Sequence, residues 1–248
     1  MSIRTRLSAA ALGAVFAVGA AALPAHAATG TDAAAAMTKA KAAVTDGVSD
    51  RLTTLTELQS RLTGYQDVPD GTRSTLASLL SSDISGLTAL KTKVAGETTV
   101  AAVRADGKAM VDDYRVYLLV APKVHLTHAL AAEGDAIVKL TKVHDELADR
   151  LAKNPKADTP ANKDLLADLT VQLKAAGAAV DGKDQALLGL KPGPDGKALS
   201  DAVKAVGGSA KTAREDLRKA VADAKKVRDA LKDTHTNTNT DPKAGAKG

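Results

Sequence analysis

The chain has 248 residues, 51 of them alanine, with one phenylalanine, three tyrosines, no tryptophan and no cysteine. The absence of cysteine excludes a disulfide scaffold, a thiolate metal site, a cysteine nucleophile and a lipid-modified cysteine. Aromatic and large β-branched residues are scarce outside valine, which argues against a β-sandwich or barrel, while 25% charged residues at a net charge of +5 are typical of ordered protein.

Residues 1–27 have the form of a secretory signal peptide that is cleaved. Arg4 and Arg6 make a basic start, Leu7 to Leu23 is uncharged, and Ala25-His26-Ala27 fits a small-x-small cleavage site. Thr5 separates the arginines, so the signal is not of the twin-arginine type. The uncharged stretch is short and mostly Ala and Gly, and no later stretch is apolar enough for a membrane span. After cleavage, 32 Lys/Arg would face 29 Asp/Glu, and Tyr65, Tyr114 and Tyr117 would be the only aromatics. That charge is weak for a nucleic-acid binder, and the aromatic platforms such proteins use are missing. Nucleic acid is therefore not an expected partner.

From there on, apolar positions alternate at three- and four-residue spacing, the pattern of helices packed along a seam. The first helix carries Met37, Val44, Val48, Leu55, Leu58, Leu62 and Tyr65, and a turn follows at Val68-Pro69-Asp70-Gly71. The second carries Leu76, Leu80, Leu87, Leu90 and Val94, and Thr98-Thr99 offers a cap for the next. The third is the longest, with Val100, Val103, Gly107, Met110, Tyr114, Tyr117, Ala121 and Val124 on one seam. Pro122 lies inside it, where a missing N–H and a crowding ring predict a kink or break. Beyond Pro122 the pattern resumes in a new phase with Leu126, Leu130, Ile137, Leu140, His144, Leu147 and Leu151. Thr159-Pro160 starts the fourth helix, which the spacing carries through Leu166, Leu169, Leu173, Ala176 and Val180 toward Leu190. The fifth runs from Leu199 to Leu231, and residues 234–248 form a polar tail of disordered composition.

These elements predict an all-α, elongated antiparallel bundle of coiled-coil character. Two three-helix bundles share the long central helix, kinked near Pro122, and divide the chain at residues 28–121 and 122–233. A compact four- or five-helix bundle, with the third helix folded back at Pro122, is the alternative.

Candidate sites are few. His125 and His128 stand one turn apart and are the candidate metal ligands, but a third ligand at suitable spacing is missing, and no metal or other cofactor is expected. His144 falls on the seam and is expected to be a satisfied interior histidine. Asp46 to Glu57 has acids at EF-hand-like spacing but puts Val48 and Arg51 where the loop needs a ligand and a glycine. Asp112-Asp113 and Glu215-Asp216 are neighbours about 100° apart on a helix, a poor acid/base pair. Asp181-Gly182-Lys183 and Asp195-Gly196-Lys197 lack the strand and spacing of a phosphate-binding loop. No nucleophile stands beside a recognisable base, so an enzyme is not expected.

The least generic stretch is Asp113 to Val124, which holds Tyr114, Arg115, Tyr117, Pro122 and Lys123. Seam spacing predicts that its tyrosines are buried at the junction of the two bundles; an exposed groove at the kink is the competing reading. The stretch resembles a motif, Tyr-Arg-x-Tyr then an apolar run and Pro-Lys, of a family of secreted all-helical proteins of high-GC Gram-positive (actinobacterial) bacteria. Leu87 to Lys91 and Ala213 to Ala220 are similar to that family as well. The family is uncharacterised, so the resemblance implies export and an all-α rod and brings no activity with it.

The function expected from the sequence is that of a secreted, non-enzymatic structural or interaction protein at the cell envelope. It would engage a partner protein or wall polymer, with oligomerisation open through its helical faces. The alternatives are an extracytoplasmic carrier of a small ligand or metal and, more weakly, reversible binding to a lipid surface.

Overall fold

A computed structural model describes residues 30–236, and all of its regular structure is helical, with no strand among the described residues. The expected signal peptide and residues 237–248 of the expected tail lie outside that range. The elements are α1 (Gly30–Leu62), α2 (Asp70–Gly96), α3 (Val100–Asp112), a π-helical turn (Val116–Val120), α4 (Ala121–Ala152), α5 (Pro160–Val180), α6 (Lys183–Gly189) and α7 (Gly196–Thr236). At about 1.5 Å per residue, α1 is roughly 50 Å long and α7 roughly 60 Å. No described helix is long and apolar enough to cross a membrane.

Local chemistry sets several boundaries where the sequence puts them. Thr99 caps α3, its Oγ1 accepting from the Ala102 N–H at 3.1 Å. Thr159 caps α5 in the same way through the Asn162 N–H at 3.3 Å, with Pro160 at the first helical position. The fourth predicted helix stops early. It ends at Val180, Gly182 turns left-handed at φ 64°, and the short α6 carries the chain to Gly189. At the far end α7 continues to Thr236, three residues into the expected tail.

Contacts along the helices fix their directions. Lys41 Nζ donates to the Ala95 carbonyl and Lys91 Nζ to Ser49 Oγ, so α2 runs antiparallel to α1. Gly107 faces Val44, Met110 faces Gly47 and Tyr117 faces Arg51, so α3 and the π-turn run parallel to α1. His128 then meets Tyr65, which carries the same parallel course into α4. The third predicted helix therefore continues past its interruption instead of folding back. In the second half, Gly207 faces Leu126 and Arg214 pairs with Glu133, making α7 parallel to α4. Gln172 of α5 reaches Asp223 of α7, and Thr170 reaches His144 of α4, with α5 running antiparallel between them.

Two main cores result. Val48, Leu55, Leu58 and Leu62 pack on Leu76, Leu80 and Leu87, with Met110, Val116, Val120 and Val124 from the central element. Leu147 and Leu151 pack with Leu166, Leu169, Leu173 and Ala176 and with the buried seam of α7 from Ala213 to Leu231. A smaller cluster of Leu130, Leu187, Val206 and Ala210 lies between them. Leu187 belongs to this middle cluster while its neighbour Leu188 packs on the first core, so α6 is a wedge between the two halves.

Candidate functional site

The break in the central element is not at Pro122. The α3 ladder ends at Asp112, Tyr114 passes through a turn, and Arg115 adopts a left-handed conformation with φ 45° and ψ 39°. Arg115 is the only described non-glycine residue with positive φ, and such a conformation costs a side-chain-bearing residue about 1–2 kcal/mol. Its carbonyl accepts from both the Leu119 N–H (2.8 Å) and the Val120 N–H (3.3 Å), and the Ala121 N–H reaches back five residues to Val116. This widened turn runs straight into α4 and places Pro122 in its first turn. The left-handed residue that interrupts the helix lies seven positions before Pro122.

The interruption also resets the phase of the buried face. Spacing predicts Tyr114, Tyr117 and Ala121 on the seam. The structure buries Val124 as predicted and leaves Tyr114 and Ala121 half-buried against the first core, but it brings Val116, Leu119 and Val120 into the buried face and turns Tyr117 out, 52% exposed. Its ring carries the Arg51 guanidinium 5.1 Å from the centroid, a cation–π contact between α1 and the π-turn. Burial pushes the Arg51 guanidinium below its ordinary pKa, and Tyr117 and Asp50 offset this in part.

Arg115 and Lys123 both reach across to the link between α6 and α7. Arg115 Nε donates to the Gly193 carbonyl and Nη2 to the Pro194 carbonyl, each at 2.8 Å, and Nη2 also pairs with Asp112 at 2.8 Å. Lys123 is buried, and its Nζ donates to the Leu188 carbonyl at 2.9 Å and the Leu190 carbonyl at 2.5 Å. Four backbone acceptors from the end of α6 and the link beyond it are thus met by two cations from the central element. Two local features explain the match: Leu188 and Leu190 lie at the C-terminal end of α6, where helix carbonyls lack intrahelical donors, and Pro192 and Pro194 have no N–H, so Lys191 to Asp195 offers more acceptors than donors. Charge-assisted bonds of this kind contribute about 1.5–3 kcal/mol each.

Around this clamp lie further ionisable groups. Asp83 of α2 has Oδ2 buried with no hydrogen-bond partner among the described residues, and burial pushes its carboxyl up to about 6, opposed by the charge of Lys123. Burial also lowers the pKa of Lys123, with Lys191 adding to the effect and Asp83 offsetting it. Tyr114 is half-buried against Gly86, and its hydroxyl is pushed above the ordinary range by burial and by the charges of Asp83 and Asp113.

His125 and His128 meet an aromatic partner. The His128 ring stacks on Tyr65 with centroids 3.9 Å apart and planes 4° from parallel, and His125 Nδ1 lies 3.4 Å from the Tyr65 hydroxyl. His125 is exposed overall, yet packing around its ring lowers its pKa, and Arg61 and His128 lower it further. Among the described residues no three His, Cys, Asp or Glu come together as a set able to hold a metal ion. His144 is half-buried between Asp145 (3.0 Å) and the Thr170 hydroxyl (3.1 Å). Open grooves of about 520 and 490 Å³ lie away from the junction, on the α1–α2 face beside Gln59 and Ser74.

Sequence reasoning missed Tyr65 as the partner of the histidines, and also Asp83, Arg51 and Glu133. For Glu133 a signal existed, since it lies three residues after Leu130 and four before Ile137 on the buried face. There its Oε1 accepts from Arg214 Nε at 2.8 Å and Nη2 at 2.7 Å. Asp83 and Arg51 sit among polar neighbours in sequence, and only the fold brings them to the junction. Compared with protein-family models, with curated proteins and with solved structures, the chain matches none.

Proposed function

We propose that this chain is a non-enzymatic helical interaction protein, exported through its N-terminal signal and acting at the cell envelope, where its long helix faces engage a partner protein or wall polymer. The observation that carries the reading is how the junction uses its side chains. Arg115 and Lys123 are committed to four backbone carbonyls, Tyr117 to Arg51, and His125 and His128 to Tyr65. Such a junction sets the course of two three-helix units and leaves their outer faces as the recognition surface. The export pattern at residues 1–27 and the resemblance around Tyr114 to Lys123 agree with this role.

Fractionation of producing cells, followed by cross-linking in place, tests it. The protein is expected in the wall fraction with a reproducible cross-linked partner. Recovery wholly in the medium, with no partner, would sink the envelope role.

A further inference from the structure

The chain's charge is unevenly placed. Residues 30–195 carry 20 Lys/Arg against 22 Asp/Glu, whereas α7 carries ten against six. The excess positive charge therefore sits on this one helix. Within it, Lys197, Lys204, Lys211, Arg218, Lys225 and Lys232 recur at every seventh residue, and all six are exposed. At about 1.5 Å per residue the rungs are about 10.5 Å apart and the row is roughly 52 Å long. The buried seam of α7, from Val206 through Ala210, Ala213, Leu217, Ala220, Ala224 and Val227 to Leu231, repeats with the same seven-residue period. The row therefore keeps a constant angle to the packed face along the helix.

Acidic neighbours neutralise only part of it. Lys197 pairs with Asp201 at 2.6 Å, Lys211 with Glu215 at 3.8 Å and Lys232 with Asp229 at 3.9 Å. The positions four residues beyond Lys204 and Arg218 are Gly208 and Ala222, and the acids three residues before these two cations, Asp201 and Glu215, pair with Lys197 and Lys211. Asp229, four beyond Lys225, is engaged by Arg228 and Lys232. Lys204, Arg218 and Lys225 thus make no ion pair among the described residues.

We infer that the exposed cation row of α7, five lysines and one arginine, is the docking surface for a linear polyanion with a phosphodiester charge in each repeat, lying along the helix. The inference rests on the envelope reading above and names the partner's chemistry. Three features select an extended polymer. The rungs are evenly spaced over a length no compact anion spans. The apolar seam of α7 is buried in the bundle, and Val221 is the one large apolar side chain exposed on the helix among the described residues, too little to insert among lipid chains. No Tyr, Phe or Trp lies on α7 for bases to stack on.

The test uses the full chain as secreted and two fluorescent polymers, poly(glycerol phosphate) and polyglutamate, titrated from 50 to 300 mM salt. Both the wild type and a control triple variant, Lys39→Gln, Lys156→Gln and Lys174→Gln, are expected to bind with the same steep salt dependence. The variant Lys204→Gln, Arg218→Gln and Lys225→Gln is expected to lose at least about tenfold in affinity. Its log–log salt slope should fall by about two, at roughly 0.7 per lost contact. Poly(glycerol phosphate) is expected to bind more tightly than polyglutamate, and the reverse order would overturn the phosphodiester assignment. Equal losses in the two variants, no binding to either polymer, or tighter binding to single-stranded DNA or anionic vesicles would overturn the inference. Wall fractionation separates the two readings: retention of the α7 variant in the wall leaves the envelope role standing without the polyanion, whereas a wild type found wholly in the medium removes that role.

Discussion

Tyr114 lies so close over Gly86 that a methyl group on that glycine would come within 2.4 Å of the tyrosine hydroxyl oxygen and 2.8 Å of its ring. In an open helix, Gly→Ala stabilises by about 1 kcal/mol. Here Gly86→Ala is expected to destabilise by about 1–3 kcal/mol in urea unfolding, because Tyr114 must leave its place. In a Tyr114→Ala background the same change should revert to mild stabilisation. A cycle showing no such sign change would disprove the packing relationship.

Arg115 combines a strained backbone with three side-chain bonds, and the two contributions separate by substitution. Arg115→Gly relieves the left-handed strain but loses the clamp, whereas Arg115→Ala loses the clamp and keeps the strain. Both variants should speed amide exchange across residues 187–199. Arg115→Ala should be the less stable of the two by about 1 kcal/mol. Equal stabilities would show that the left-handed turn does not persist in solution.

Asp83 gives the junction a pH response of defined sign. Its folded carboxyl titrates at about 6, above the unfolded value of about 3.9. Between those values the folded chain binds more protons than the unfolded one, so this residue's contribution to stability falls as pH rises from 4 to 6 and is flat above. Asp83→Asn should remove that slope. The urea midpoint of the variant relative to wild type should then be higher at pH 7 than at pH 4, and a constant difference across the range would refute the assignment.

His125 responds in the opposite sense. Its folded pKa lies below the ordinary imidazole value, so protonation favours the unfolded chain and stability declines as pH falls below about 6.5. Arg61→Gln removes a like charge and should raise the His125 pKa in an NMR titration, shrinking the acid loss. Tyr65→Leu should cost about 0.5–1.5 kcal/mol beyond lost area, through the His128 stack.

Helix caps and seams were legible from single residues and short patterns. Thr99 and Thr159-Pro160 announce the starts of α3 and α5, and the seven-residue seam of α7 buries Val206 to Leu231 as spacing predicts. The interruption was not legible, because Asp113-Tyr114-Arg115 contains no glycine or proline to mark a left-handed turn. A proline nearby drew the break to itself, although a position in the first turn of a helix suits it well. Once the phase is reset, Tyr117 leaves the seam and Val116 enters it, a rotation that spacing cannot foresee. The clamp was hidden for another reason. Its acceptors are carbonyls some 65–79 residues away from their donors, and carbonyls carry no side-chain signature.

A cation that grips carbonyls reads the path of a chain and not its letters. Leu188, Leu190, Gly193 and Pro194 could each be exchanged without removing the acceptor it offers, because every residue type, proline included, has one. Divergence along the α6–α7 link can therefore run far ahead of change at Arg115 and Lys123. Two sequences with little in common across residues 188–194 could still close the same joint.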